Sequence, residues 1–388
     1  MTVRASLLLA TVLLVPAGIL LEPDLPGPHS ISPGPAITDA SSGCGSLPAG
    51  APSAGAGPVT PPDTFVVGAV GDVMLGSWIV DVLRARGPEY PFADLRPLLA
   101  EADLLVGNLE APFLADTTGV PRADKTWTFA VPPTAAAALT AAGFDAVGLA
   151  NNYIFDYGFL GLYEIWEVFD AAGIVYAGMG WNRGEAHRPV IVERAGRRIA
   201  LLAYSHTFPA DFWAGENRPG TAHADSLRLL HDVGRAAAAA DLVLVSFHWG
   251  AELSEWPKQY QHVFARLAID AGADLVIGHH PHTLQPFEWY RGRLIAYSLG
   301  NFVFGSYTTT ARGALLLVHF SGEVPVRADL HPLDVNNLRR EFRPRPAPRA
   351  LWDRLGSAVI SAAADSAAAG YPGVQVCRES FLRFFPPP

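Results

Sequence analysis

Seven short apolar runs dominate the chain from Thr64 onward, and each is followed at once or one residue later by Gly, Asn or His. TFVVGAV leads into GDVMLG, ADLLV into GNLEAPF and FDAVGLA into NNYIFDYG. RIALLAYS leads into HT, DLVLVSF into HWGAE, ADLVIG into HHPH and RLIAYS into LGNFVF. Runs this short and this apolar suit strands buried on both faces. Between them lie Ala- and Leu-rich segments (132–143, 161–173 and 260–272), each closing on Gly as helices commonly do. Strand, helix, strand in series predicts an α/β domain around a buried sheet. Near the end, GALLLVHFSG and VPVRADLHPLDV read as antiparallel edge strands, and 349–370 as a terminal helix.

The rest of the chain is organised around that domain. Residues 1–22 hold one arginine and then a mostly apolar stretch, which reads as a signal peptide or an N-terminal anchor. Residues 23–63 are Pro, Gly, Ser and Ala with few large apolar groups, the composition of a linker. The folded domain is expected over 64–340, followed by a C-terminal helix and tail over 341–388. A net charge of −9 without any basic run argues against a nucleic-acid partner. The two cysteines, Cys44 and Cys377, have the option of pairing in an oxidising compartment.

In open α/β sheets ligands bind at the carboxyl edge, so residues far apart in sequence converge there. The strand ends supply, in order, Asp72, Glu110, Asn151 and Asn152, His206, His248, the trio His279, His280 and His282, and Asn301. Carboxylates, amides and imidazoles without sulfur suit a divalent metal of intermediate softness such as Mn, Zn or Fe. Taken singly, several have plainer readings: Asp72 as a helix cap, Glu110 as a surface carboxylate, His248 as a hydrogen-bonded core histidine. GHHPH is different. Three imidazoles within four residues, pinned by Gly278 and Pro281, are hard to satisfy as packing alone. Gln285 and Asn301 are positioned to line such a site. Trp249, Trp256, Trp289, Tyr290, Phe302 and Phe304 read as core and cleft wall.

Six blocks together, VGDVMLG, VGNLEAPF, GFDAVGLANNYIFDYG, YAGMGWN, SFHWGAEL and GADLVIGHHPHTLQPFEWYRGRLIAYSLGNFVF, resemble the CapA/PgsA-type poly-γ-glutamate capsule biosynthesis proteins. The resemblance runs from about Phe65 to Val335. It implies a calcineurin-like metallophosphoesterase-type αβ-sandwich with its metal site at the strand carboxyl ends. By motif, it implies Asp72, Glu110, Asn152, His248, His280 and His282 as metal ligands, with His279 as an alternate. Two departures stand out. Met74 occupies the histidine position of the phosphoesterases' opening Asp-x-His, and Tyr153 replaces the histidine of the family's Asn-Asn-His. That histidine would be the acid toward a leaving alkoxide, and a phenol, with a reference pKa near 10, is weaker by about 3–4 units.

The resemblance further implies an exported, extracytoplasmic or cell-envelope protein, membrane-attached if the leader is uncleaved. It would assist synthesis, export or anchoring of an anionic polyglutamate beside membrane-bound synthetase or export subunits. The alternative is a metal-dependent hydrolase of phosphoesters or of an amide-linked polymer, with Tyr153 or Asp156 aiding proton transfer. The third possibility is a non-catalytic binding module that keeps its polar strand ends as vestiges.

Overall fold

The computed structural model describes residues 64–307, 312–348, 375–377 and 381–384. The expected leader, linker and terminal helix, and Cys44, lie outside those residues. Two sheets form the centre of the molecule. In the larger, the neighbours run Gln375–Cys377, Phe381–Phe384, Val324–Asp334, Gly313–Ser321, Thr64–Val73, Leu104–Leu109, Ala146–Gly148 and Val175–Ala177. In the smaller they run Phe287–Tyr290, Arg293–Ala296, Leu275–His279, Leu242–His248, Arg197–Ser205 and Val190–Arg194. The smaller sheet has a parallel centre and antiparallel outer strands, whereas the larger is parallel from Thr64–Val73 to its edge at Val175–Ala177 and antiparallel on the other side; the parallel pairs need crossover connections, which the helices supply.

The two-residue period of a strand builds the layers directly. In Leu242–His248 every residue is buried, yet Leu242 and Leu244 enter one core cluster while Val243, Val245 and Phe247 enter another. The first cluster joins both sheets: it also holds Phe65, Val67, Leu104, Val106, Leu201, Leu275 and Leu316. The second packs the outer face of the smaller sheet on Leu229 and Val233 of the Ser226–Ala237 helix and Ala265 and Ile269 of Gln259–Asp270. A third cluster covers the outer face of the larger sheet with Leu139 from Ala136–Ala142 and Leu162, Ile165 and Phe169 from Gly158–Ala172. The result is four layers, helix on sheet on sheet on helix, the expected αβ-sandwich. Removing a side chain such as Leu244, fully buried between the sheets, costs about 2–5 kcal/mol.

The Ala- and Leu-rich segments form their helices, and Gly143 and Gly173 end two of them in the left-handed conformation. One expectation needs correction. Gly313–Ser321 and Val324–Asp334 do form an antiparallel hairpin, but neither is an edge. Thr64–Val73 lies on one side and Phe381–Phe384 on the other, so the tail supplies strands that the sequence pattern did not reveal. Among the described residues no helix is long and apolar enough to cross a membrane.

Candidate metal centre

Strand parity aims most of the polar strand ends into one space between the sheets. Leu104 and Val106 face the inter-sheet core, so Asn108 and Glu110 continue the same face at the strand's end. Leu242 and Leu244 do the same for His248, and Leu275 and Ile277 for His279. Asp72 arrives by another route. Its pairing register with Leu104–Leu109 shifts after Ala69, which re-aims the side chain. Gly71 makes the shift possible, since a Cβ there would lie 2.0 Å from the Gly300 carbonyl oxygen. Gly278 is equally constrained, with a Cβ meeting the Tyr297 oxygen at 1.9 Å.

At the centre Asn108 holds two carboxylates together. Its Nδ2 donates to Asp72 Oδ1 at 2.9 Å and to Glu110 Oε1 at 3.0 Å. His248 Nδ1 lies 3.2 Å from the same amide and 3.5 Å from Glu110 Oε1. Its Nε2 meets Asn152 Oδ1 at 2.8 Å, so that nitrogen donates and Nδ1 is the acceptor facing the carboxylates. Asn152 therefore meets His248 here, not the carboxylates. Asp72 caps no helix, because the next one begins at Ile79 after Trp78, and Glu110 is fully buried.

The histidine loop closes the other side. The His280 backbone N–H donates to Asp72 Oδ2 at 3.1 Å, and His279 Nδ1 lies 3.3 Å from Asp72 Oδ1. His282 Nδ1 faces two acceptors, Asn301 Oδ1 at 2.9 Å and Asp72 Oδ2 at 3.2 Å, which leaves Nε2 with its lone pair. Both His280 and His282 have positive φ, 91° and 54°, conformations that non-glycine residues adopt at a cost and that cluster at functional sites. Leu253 N donates to the Pro281 carbonyl, fastening the loop after His248 to this one and bringing Glu252 beside His280 and His282.

Two groups of ligand atoms result: buried Asp72, Glu110 and His248, and a more open Glu252, His280 and His282. Within each, the atoms lie within 4.8 Å of one another. The donor set fits a divalent cation on three counts. Glu110 Oε2, His279 Nδ1 and His280 Nδ1 are buried with no hydrogen-bond partner, a costly state that an ion would relieve. Burial, then the adjacent Asp72 charge, pushes the Glu110 carboxyl well above its usual range, whereas a cation would favour both ionised. Asp72 goes the other way: burial opposes ionisation, but the adjacent His279 and His282 imidazoles, 3.3 and 3.2 Å away, outweigh it and hold its carboxyl low. Burial followed by the neighbouring His282 brings His280 down to about 3, and burial likewise lowers His248, so both imidazoles are in the neutral, ligating form.

Other strand-end residues play different parts. Asn151 fastens the turn, donating to the Leu109 carbonyl at 2.7 Å and accepting from Tyr153 N at 3.1 Å. His206 does not join the centre; its backbone N–H donates to the His248 carbonyl while its ring leans on His223 and Tyr260. Gln285 is fully buried and ties Gln261 to the Ser254 carbonyl. Phe304 walls His282 at 4.5 Å, and Trp249 is core, but Trp256 is exposed. Asp156 is buried, 2.5 Å from the Lys125 ammonium and accepting from Phe129 N at 2.7 Å. Burial pushes its carboxyl up to about 6. Tyr153 lies under Lys125, 3.9 Å from ring centroid to ammonium, and burial followed by the Glu110 and Glu252 charges pushes its phenol well above its usual value.

Sequence reasoning passed over three residues. Asn108 had a signal, since it shares parity with Glu110 in GNLE. Glu252 sits in HWGAE just after His248, but only the Leu253–Pro281 contact brings it to the histidines. Lys125 is one of only two lysines in the chain, in a segment without strand or helix pattern.

Residues 66–306 match the family model described as "Bacterial capsule synthesis protein PGA_cap". Over 288 residues the chain is 34% identical to the capsule biosynthesis protein CapA of Bacillus anthracis, covering 73% of this chain and 69% of that one. It is 31% identical over 289 residues to the PGA biosynthesis protein CapA of Bacillus subtilis, covering 74% and 75%. Among solved structures it is similar to a 5′-nucleotidase precursor from Thermus thermophilus, with 13% identity, a TM-score of 0.44, and coverage of 73% of this chain and 56% of the other.

Proposed function

The chain belongs to the bacterial capsule synthesis protein PGA_cap family, and we propose that it assists the synthesis, export or anchoring of a poly-γ-glutamate-type capsule polymer. The observation that carries this reading is the identity of about a third to two CapA proteins across nearly three quarters of the chain. The apolar N-terminal segment fits delivery to the cell envelope, where membrane-bound synthetase or export subunits would be its partners.

Asp72, Glu110 and His248 would hold a divalent cation, Mn, Zn or Fe, and Glu252, His280 and His282 offer a second, more open position. Such a cation supplies Lewis acidity toward an ester, amide or phosphoryl oxygen and an anchor for an anionic group. The chain's own residues set the rest. Asn108 keeps the two carboxylates in register, Asn152 fixes the His248 tautomer, and Asn301 fixes that of His282. Lys125 places a positive charge at the rim beside Tyr153, which offers a hydrogen bond but holds its proton at neutral pH.

The second reading, a metal-dependent hydrolase of phosphoesters or of an amide-linked polymer, is favoured by the same imidazole and carboxylate set. Tyr153 limits it. General acid assistance is worth about 10²- to 10⁴-fold, and the phenol is too weak an acid to supply most of that.

Complementation tests the reading. A Bacillus subtilis strain lacking its own CapA should regain polymer when given this chain, and should not regain it with Glu110→Gln or His282→Ala at equal protein level. Failure of the unaltered chain in a strain where the native protein restores polymer would count against the capsule role.

A further inference from the structure

Near the carboxyl ends of the smaller sheet, where His206 and His223 follow Arg197–Ser205, lies a cavity of about 350 Å³. Its walls carry Arg183, Arg218 and Arg228, with His187 and His223, against one carboxylate, Asp225. In a chain of net charge −9, three guanidiniums gather on one small cavity, and among the described residues ion pairs to Glu216 and Asp225 leave the charge of Arg218 uncompensated there.

Those guanidiniums are only partly engaged. Arg183 pairs with Glu216 at 2.5 Å, and Glu216 is largely exposed. Arg228 meets Asp225 at 3.3 Å, where Asp225 already accepts from the Arg228 backbone N–H. Arg218 forms no ion pair among the described residues; one N–H reaches the Trp213 carbonyl at 2.9 Å. A guanidinium carries five N–H donors, so each retains donors suited to the paired oxygens of a carboxylate or phosphate. His223 lines the same cavity, its ring fixed by stacking on Trp213 at 3.7 Å.

The cavity is linked to the metal centre through two residues. His206 donates its backbone N–H to the His248 carbonyl at 2.9 Å, and its ring stacks on His223 at 5.2 Å between centroids. A ligand with anionic groups spaced along it could therefore place one group at the strand ends and another in the cavity.

We infer that the cavity formed by Arg183, Arg218, Arg228 and His223 is an oxyanion subsite, binding a carboxylate or phosphoryl group of an anionic chain engaged at the neighbouring metal centre. The anion binding stands on the cavity alone; only the identity of the chain that carries the group rests on the proposed capsule function.

Isothermal titration of the full chain with a ten-residue oligoglutamate, and separately with inorganic phosphate, tests it. The oligomer, phosphate or both should bind saturably, and at least tenfold more weakly to Arg218→Gln/Arg228→Gln. The distant double variant Arg84→Gln/Arg291→Gln, with the same change of charge, should bind as the unaltered chain does. Preference for the oligomer assigns the group as carboxylate, and preference for phosphate assigns it as phosphoryl. Arg228→Gln alone, on an exposed helix face, guards against misfolding and should weaken binding in the same direction with an unchanged melting temperature. Absence of binding by both ligands, or equal weakening in the two double variants, overturns the inference. Because titration does not depend on polymer production, failed complementation with intact binding would reject the capsule reading and leave the subsite standing.

Discussion

The Lys125 ammonium lies 2.5 Å from an oxygen of Asp156, a carboxylate with no exposed surface. That pair braces the turn of ANNYIFDYG, because Lys125 also donates to the Asn152 carbonyl and covers the Tyr153 ring. Asp156 is thus a positioning residue for the strand mouth. Lys125→Met should leave a buried carboxylate without its partner and lower stability by about 3 kcal/mol. Adding Asp156→Asn should recover most of that loss, because the uncompensated charge is gone. Urea unfolding of the two single variants and the double variant measures the coupling, and strictly additive losses would contradict it.

Tyr153 is where the hydrolytic reading is most exposed to test. Tyr153→His would place a group of ordinary pKa near 6.5 where a phenol held above its usual value now stands. If the centre can hydrolyse an aryl phosphate or a phosphodiester, turnover should rise by about 10²-fold or more, with a pH profile that acquires a limb near neutrality. An unchanged, negligible rate across pH 5–9 would favour the accessory role over a crippled hydrolase.

Asn108→Asp would add a third carboxyl to a space that already holds two buried ones. The metal-free variant should lose about 3–5 kcal/mol at pH 7, and a saturating divalent cation should restore much of it. Denaturation midpoints with chelator and with Mn²⁺ provide the comparison. An identical deficit in both would mean that Asn108 does not serve the ion.

Stability should also fall on the acid side of neutrality for a reason remote from the centre. His331 is buried against Phe381, and burial brings its imidazole down to about 4 in the fold, against about 6.5 when unfolded. The fold therefore prefers the neutral ring. That contribution is complete above about pH 6.5 and is lost progressively toward pH 4, about 3 kcal/mol in all. Neighbouring Asp329, held down to about 2 by His319 and arginine contacts that outweigh its burial, stays ionised through this window. His331→Gln should flatten the decline in melting temperature between pH 7 and pH 4.5. An undiminished slope would place the acid sensitivity elsewhere.

Much of this was legible in the sequence because buried parallel strands leave a plain record. Most apolar runs end where a polar side chain turns into the ligand space, so Asp72, Glu110, His248 and the GHHPH trio are named from pattern and resemblance, whereas His206 ends such a run and turns elsewhere. What stayed hidden depended on contacts across the fold. The role of Asn108 follows from sharing a face with Glu110, that of Glu252 from a loop-to-loop bond at Leu253, and that of Lys125 from folding of an irregular segment over Tyr153. The hairpin whose pattern reads as a sheet edge is covered by the tail strand Phe381–Phe384, a pairing between distant segments that local hydrophobic pattern does not encode.

Metal content tests the central claim most directly. The full chain, purified without chelator and dialysed against metal-free buffer, should carry one or two equivalents of Mn, Zn or Fe by plasma mass spectrometry. Glu110→Gln and His282→Ala, folded by circular dichroism, should each carry markedly less and lose the stabilisation that added cation gives the unaltered chain. A folded, unaltered chain with no stoichiometric metal, and no rise in melting temperature on adding any of the three ions, would contradict the account.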